Sequence, residues 1–169
     1  MRETLMNWRN QVILVVLAGV LALTPPIPER WGDTLRFALP TLGFGCAVLT
    51  GNGIEYLGRL ALLNAAIYAP KTALADTPIN IRPNGETRGF PSGHSAAAAF
   101  GASAIVAECA RSSPVTATAV ILAAGFTGAS RVDADKHNPW QVLAGWTLGV
   151  LVERGFRRRI GAWLRRKRG

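Results

Sequence analysis

The chain has 169 residues, of which 49% are apolar and 17% are charged, and its formal net charge is +9. Charges that cluster in a few places argue against an ordinary soluble domain and favour a membrane protein. Eight of the 19 basic residues lie in 154–168. The net charge therefore belongs to the C-terminal tail, and no nucleic-acid partner is predicted.

Six apolar runs, separated by turns rich in Gly, Pro or charged residues, organise the sequence. They cover residues 12–23, 35–50, 54–70, 95–109, 115–129 and 139–152. Each run is shorter than the roughly 20 residues of an ideal membrane span. Polar flanks are expected to lengthen each helix, and little polar surface remains for a soluble bundle. The sequence therefore predicts an all-α fold with six transmembrane helices in a single domain, residues 1–153.

Several runs carry features that bear on packing. Pro25, Pro26 and Pro28 stop the first run, and no small-residue cleavage site follows it, so it is expected to be retained as a membrane helix. Glu55 and Arg59 are four residues apart and should form a structural ion pair. The fourth run is rich in small residues, which let helices approach closely, and should lie at the bundle centre.

The two cysteines give no clear functional signal. Cys46 and Cys109 lie in or beside apolar runs. A free cysteine in that setting behaves as a small hydrophobic residue. We expect neither a disulfide nor a metal site from them.

The C-terminal tail, residues 154–169, is expected to be a basic amphipathic helix on the cytoplasmic face. One side of it carries apolar residues, namely Phe156, Ile160, Trp163 and Leu164. Such a helix binds anionic membrane lipids. Six spans with a cytoplasmic tail place both termini and Arg111 inside, as the positive-inside tendency requires.

Two polar islands interrupt the apolar pattern, residues 82–94 after the third run and 130–137 after the fifth. Six spans would bring both islands to the same side of the membrane, facing the exterior or the periplasm. They contain Arg82, Arg131 and the only two histidines of the chain, His94 and His137. Arginine forks and histidines are the groups needed to hold and transfer a phosphate.

Residues of both islands, together with Lys71 before the first island, form a three-part pattern that is typical of one protein family. Lys71, Arg82-Pro83, Pro91-Ser92-Gly93-His94 and Ser130-Arg131 with His137 resemble the motif of the type 2 phosphatidic acid phosphatase family, which includes lipid phosphatases and vanadium haloperoxidases. The resemblance covers Lys71 to about Gln141, and the six runs are similar to the six-helix core of the membrane-bound members. It implies that His137 attacks phosphorus and that His94 protonates the leaving oxygen. It also implies phosphoryl-oxygen ligands, namely Lys71, Arg82, Ser92, Gly93 and Arg131.

The physical chemistry agrees with this assignment. A phosphoryl group in transfer spreads negative charge over its equatorial oxygens, so preorganised cations and N–H donors stabilise it. Ser92 and Gly93 lie where a helix begins, and the N–H groups there attract an anion. Imidazole titrates near neutral pH, so one histidine can be the neutral nucleophile and the other the protonated acid. Arg88 is either a further phosphate contact or a loop charge.

Two departures from the family pattern concern Lys71 and Gln141. Ten residues separate Lys71 from Arg82, whereas the family usually shows six, and Pro78 opposes a continuous helix there. Four residues after the nucleophile, Gln141 replaces the usual Asp. Its carbonyl can orient His137 but cannot stabilise imidazolium as a carboxylate would.

The replacement of the usual Asp by Gln141 raises two questions, namely whether a nearby carboxylate compensates for it and which substrate it favours. Asp133 or Asp135 could compensate for the missing Asp, although a solvated loop role is expected of both. A glutamine at this place is similar to some polyprenyl diphosphate phosphatases and weakly favours such a substrate. Phosphatidate, phosphatidylglycerol phosphate and lipid A present the same phosphate.

The function expected is that of a metal-independent lipid phosphatase of the bacterial inner membrane. Its partners are a lipid phosphate substrate and membrane lipids, it needs no cofactor, and the sequence does not reveal an oligomeric state. A divalent-metal hydrolase would need a carboxylate cluster, and only Asp133 and Asp135 are near the histidines. A non-catalytic scaffold with a lipid-binding tail would leave both polar islands unexplained.

Overall fold

The computed structural model describes residues 2–166, with side chains described for residues 8–157. Within these bounds the chain is all-α and has no strand. Its six α-helices are α1 (Arg2–Leu23), α2 (Pro28–Leu49), α3 (Gly53–Ala73), α4 (Gly93–Glu108), α5 (Pro114–Asp133) and α6 (Pro139–Arg166). A short 3₁₀ helix, Pro78–Asn80, lies between α3 and α4. The all-α class and the six helices predicted from the apolar runs are confirmed.

Helix ends differ from the apolar runs where polar residues continue a helix. Helix α2 begins at Pro28, seven residues before its apolar run, because proline is preorganised for the first helical position. Ser113 caps α5 by accepting a hydrogen bond from the Thr116 N–H, at 3.4 Å. Helix α6 continues far past residue 152 because charged residues end an apolar pattern without ending a helix.

Helix α4 lies at the centre of the bundle and packs against α2, α5 and α6. Its small residues are almost all buried from Ser95 to Ile105, which confirms the prediction for this run. A Cβ added to Gly101 would lie 2.4 Å from the backbone of Leu39 in α2. A Cβ added to Gly145 in α6 would lie 2.3 Å from the carbonyl oxygen of Ser92. Glycine at these two crossings therefore lets α2 and α6 contact the α4 backbone directly.

A buried ionic network closes the end of the bundle where α3 begins. Arg59 is fully buried, donates to Glu55 at 2.9 Å, and lies 3.8 Å from Glu153 of α6. Arg157 pairs with both Glu108 and Glu153. The expected Glu55 to Arg59 pair is confirmed, and it belongs to a larger network that joins three helices.

The C-terminal tail continues α6 without a break. Its first basic turn contacts the bundle through Arg157. The division of the chain at residue 153 stays a prediction. The apolar face proposed for the tail includes Ile160, Trp163 and Leu164, whose side chains lie outside the described residues.

The prediction that both cysteines are free is wrong. Cys46 and Cys109 form a disulfide with a Cα–Cα distance of 5.7 Å across a sequence separation of 63 residues. The close crossing of α2 and α4 brings the C-terminal ends of the two helices together. Two cysteines in separate apolar runs thereby become neighbours, which their spacing in sequence did not reveal.

The helices differ in how well they qualify as membrane spans. Among the described residues, α5 (Pro114–Asp133) alone is long and apolar enough to cross a membrane, and the apolar part of α1, Trp8–Leu23, is shorter. Charged residues such as Arg36 in α2 and Arg59 in α3 lower the hydropathy of their helices. Six helices are thus observed, whereas six spans remain to be tested.

The disulfide can be tested by thiol titration of the denatured protein. We expect no reactive thiol before reduction and two after it, because the chain has only these two cysteines. The double variant Cys46→Ala/Cys109→Ala should unfold more easily, by up to about 4 kcal/mol, since a crosslink closing a loop of this length restricts the unfolded chain. Two thiols reacting without reductant would contradict the disulfide.

Candidate active site

A cavity of about 890 Å³ opens at the end of the bundle where α3 ends and α4 begins. Six cationic side chains line it, namely Arg36, Lys71, Arg82, Arg88, Arg131 and Lys136, together with His94 and His137. No carboxylate is among the described residues that line it. The two polar islands therefore meet at one site that favours an anion carrying more than one charge.

The last turn of α5 positions two of these residues at once. The N–H groups of Lys136 and His137 both donate to the carbonyl oxygen of Arg131, at 3.0 and 3.1 Å. Asp135 has a positive φ of 52°, which reverses the chain after the helix. This turn fixes the histidine beside the arginine.

His137 is buried, and its ring orientation follows from a chain of hydrogen bonds. Its Nδ1 lies 3.1 Å from Oε1 of Gln141. The Gln141 Nε2 donates to the carbonyl oxygens of Ile79 and Ile81, at 3.0 and 2.9 Å. Two carbonyl groups require the NH₂ side of the amide, so its oxygen must face His137. Because that oxygen only accepts, Nδ1 carries the proton and Nε2 presents its lone pair.

The same surroundings keep His137 neutral. Burial lowers the pKa of His137 from its usual 6.5 to about 4, and the hydrogen bond that the ring donates to Gln141 opposes this effect. The positive charges of Arg82 and Lys71 lower the pKa further. At neutral pH the imidazole is therefore in the form that a nucleophile needs.

Gln141 also joins the separate segments that form the site. Its backbone carbonyl oxygen accepts the N–H of Ser92, at 2.9 Å, and its N–H donates to Oδ1 of Asn138. A carboxylate at this position would place a second oxygen against the carbonyl groups of Ile79 and Ile81. Asp133 and Asp135 are both exposed, and neither takes the place of Gln141 beside Nδ1.

Lys71 reaches the cavity although its spacing from Arg82 is longer than in the family pattern. It is buried in the last turn of α3, and its Nζ donates to the carbonyl oxygen of Arg88 at 2.5 Å. The Asn80 amide donates to the carbonyl oxygens of Lys71 and Ala75, at 3.1 and 2.6 Å. The extra residues thus form a folded loop, and no continuous helix is needed.

Three arginines face the site in different ways. Arg82 pairs with Glu86 at 2.7 Å, and its buried Nε has no hydrogen-bond partner among the described residues. Arg88 is exposed with a φ of 63°. Arg131 is buried and donates from Nη2 to the carbonyl oxygen of Glu29 at 2.5 Å. All three line the cavity, and their contact with phosphate stays a prediction.

Ser92 does not line the cavity, unlike the other residues expected to bind phosphate. It is fully buried and caps α4 by accepting from the N–H of Ser95, at 3.5 Å, while its own N–H is bonded to Gln141. Gly93 and His94 line the cavity, whereas Ser92 lies behind them. Contact between Ser92 and phosphate stays a prediction. The positive end of α4 faces the site through the first N–H groups of the helix.

Sequence reasoning missed the contribution of α2. The Asp33 carboxylate lies 2.8 Å from Nε2 of His94, and Arg36 lines the cavity. Glu29, Asp33 and Arg36 are spaced by four and three residues, so they share one helix face ahead of the apolar run. That spacing could have identified this face of α2 as a candidate part of the site. Lys136, the residue before His137, also lines the cavity and was missed.

The chain has only two histidines, so imidazole NMR of labelled protein can test the state of His137 directly. We expect His137 to stay neutral at pH 5. Gln141→Glu should raise its pKa to between roughly 5 and 7, because a carboxylate favours the charged ring. The variant also loses two donated hydrogen bonds and should unfold more easily. Asp135→Asn, on the exposed side of the same loop, is the matched control and should leave the pKa unchanged. A wild-type His137 that titrates near 6.5 would contradict the assignment.

Comparison with known families gives the same result as the geometry. A family model described as the PAP2 superfamily matches residues 61–164, which is more than half of the chain. The match contains both polar islands and every residue from Lys71 to Gln141. No curated protein and no solved structure matches the chain. The cationic cavity, the paired histidines and the family match agree, and the chain belongs to the PAP2 superfamily.

Proposed function

We propose that this protein is an integral membrane phosphatase that hydrolyses a phosphate or diphosphate ester of a lipid. Membership of the PAP2 superfamily implies phosphatase activity on phosphate esters. The lipid substrate and the phosphohistidine intermediate on His137 are the further steps of the proposal. They rest on the shape and chemistry of the cavity.

The observation that carries the proposal is the division of this cavity into a cationic and an apolar part. Beyond the basic end, the wall between α2 and α3 is mainly apolar and includes Phe37, Pro40, Phe44, Leu57, Leu60 and Ile67. One ligand satisfies both parts if it joins a phosphate to a hydrocarbon chain. A small polar phosphate ester would leave the apolar wall in contact with water, which is unfavourable.

Exposed apolar residues support a membrane location. Val15 of α1 is 70% exposed, Leu122 of α5 is 66% exposed and Leu151 of α6 is 61% exposed. Large apolar surface of this kind on several helices suits contact with lipid chains rather than water. We propose six spans, with both termini in the cytoplasm and the site facing the periplasm or exterior of a bacterial inner membrane. The basic tail would then lie on anionic lipid.

The proposed reaction has two steps. In the first, Nε2 of His137 forms a bond to phosphorus while the bond from phosphorus to the ester oxygen breaks, and His94 gives that oxygen a proton. Lys71, Arg82 and Arg131 stabilise the charge on the equatorial oxygens. In the second step, water attacks the phosphohistidine, His94 takes a proton from the water, and inorganic phosphate leaves. The products are a lipid alcohol, or a lipid monophosphate from a diphosphate, and phosphate.

The charge of the cavity bears on the choice of lipid. Six cationic side chains exceed what a single phosphate monoester needs, and they would suit a diphosphate head group such as that of a polyprenyl diphosphate. Phosphatidate, phosphatidylglycerol phosphate and lipid A remain in the substrate class. We propose no metal requirement, because the cations supply the positive charge that a metal ion would otherwise provide. Among the described residues, no three His, Cys, Asp or Glu side chains cluster as metal ligands.

Phosphate release from a panel of these four lipids by detergent-solubilised protein tests the function. We expect the highest kcat/KM with a diphosphate, activity that survives EDTA, and inhibition by vanadate, which mimics pentacoordinate phosphorus. His137→Ala should abolish release and covalent phosphate labelling. The exposed-loop variant Asp135→Asn should retain both. No release from any lipid by the wild-type protein would favour the scaffold alternative, and activity lost in EDTA and restored by a divalent ion would contradict metal independence.

The proposed orientation can be tested with single cysteines at Asn84 and Ser112. Cys46 and Cys109 are replaced by alanine in both variants, so that the introduced cysteine is the only thiol available for labelling. An impermeant maleimide added to intact cells should label the position 84 variant and leave the position 112 variant unlabelled until the cells are opened. The reverse pattern would place the site on the cytoplasmic leaflet.

A further inference from the structure

The N-terminal half of α2 makes a direct contact with the catalytic histidine of α4. One carboxylate oxygen of Asp33, Oδ1, lies 2.8 Å from Nε2 of His94 and accepts from Nη1 of Arg131 at 3.0 Å. This contact lies outside the three-part family pattern, which begins at Lys71. It connects His94, the proposed general acid, with Arg131, a proposed phosphate ligand.

Close packing fixes Asp33 in this place. A Cβ added to the preceding residue, Gly32, would lie 2.0 Å from Oγ of Ser130. The guanidinium of Arg131 also donates to the backbone of Glu29, one turn earlier. The side chains of Ser130 and Arg131 therefore hold the α2 backbone against the end of α5, and a larger residue at position 32 would separate the two helices.

We propose that Asp33 is a positioning residue that orients His94 and favours protonation of its ring, so that His94 acts as the general acid of the first step. The inference rests on the proposed function, because it assigns the source of the leaving-group proton. A carboxylate only accepts hydrogen bonds, so Nε2 of His94 must carry a proton. In the imidazolium form, Nδ1 carries the second proton, which passes to the ester oxygen as its bond to phosphorus breaks.

Asp33 opposes the effect of the positive charges around His94. Arg36 of α2, Arg131 of α5 and His137 of the following loop lie near the ring, and each would repel a positive charge on it when charged itself. Burial also disfavours the charged ring. Asp33 supplies a negative charge in direct contact with the imidazole. Glu29 lies farther away, 3.9 Å from Nη1 of Arg131.

The two histidines thus have partners of opposite character. A neutral amide, Gln141, contacts His137, whose task requires a free lone pair. A carboxylate, Asp33, contacts His94, whose task requires a proton. Environments that favour different protonation states are the usual way in which two similar groups acquire acid and base roles. The departure of Gln141 from the family pattern is consistent with this division.

A comparison of leaving groups tests the inference. Dodecyl phosphate releases an alkoxide that needs a proton, whereas 4-nitrophenyl phosphate releases a phenolate that leaves without one. In Asp33→Asn, we expect kcat/KM to fall by roughly 10- to 100-fold with dodecyl phosphate, within the range of general-acid effects. With 4-nitrophenyl phosphate we expect a fall of less than about threefold. Asp33→Glu, which keeps the charge, should recover most of the dodecyl phosphate rate.

The control is Glu29→Gln, on the same helix face and near Arg131 but not bonded to His94. It should change the two rates by the same factor. Equal losses for both esters in Asp33→Asn, or no better rate in Asp33→Glu than in Asp33→Asn, would overturn the role of Asp33. Wild-type protein that hydrolyses neither ester nor any lipid would contradict the proposed function instead.

Discussion

The hydrogen bonds of the Gln141 side chain are the interaction on which the site depends. One buried carboxamide contacts the His137 ring on its oxygen side and two carbonyl groups of the loop after α3 on its nitrogen side. Gln141 supplies hydrogen-bond donors to two backbone carbonyl groups of the loop, and these bonds fix the orientation of its amide. The tautomer of His137 is therefore a consequence of how the chain between α3 and α4 folds. A buried amide with all its bonds made is stable, whereas one with a missing partner is costly.

Helix α4 supplies the platform for these contacts. Its small residues allow α2 and α6 to approach its backbone, and this approach brings Asp33 to His94 and the Gln141 backbone to Ser92. The close packing at the centre of the bundle therefore also positions the side chains at its cavity end. A change that widens either crossing would move Asp33 or Gln141 without touching it.

The two ends of the bundle use charged residues in different ways. The cavity end concentrates cations without a lining carboxylate, while the other end buries Arg59 and Arg157 among Glu55, Glu108 and Glu153. Paired charges are suited to holding helices together, because each has a partner that compensates for lost water. A cluster of cations beside an apolar wall is suited to binding an anion with a hydrocarbon chain. The same residue types therefore serve structure at one end and recognition at the other.

The sequence by itself determined the helix count, the central place of the fourth run, the pairing of Glu55 with Arg59, and the convergence of both polar islands. These follow from local rules, since apolar periodicity, small-residue content and fixed helical spacing are read along the chain. The family resemblance pointed to Gln141 as a candidate partner of His137, with Asp133 and Asp135 as alternatives. Only the tertiary structure decided the Cys46–Cys109 disulfide, the path that brings Lys71 to the cavity, and the contact of Asp33 with His94. Each depends on how closely two distant segments approach. That distance is set by the packing of whole helices, and no local pattern records it.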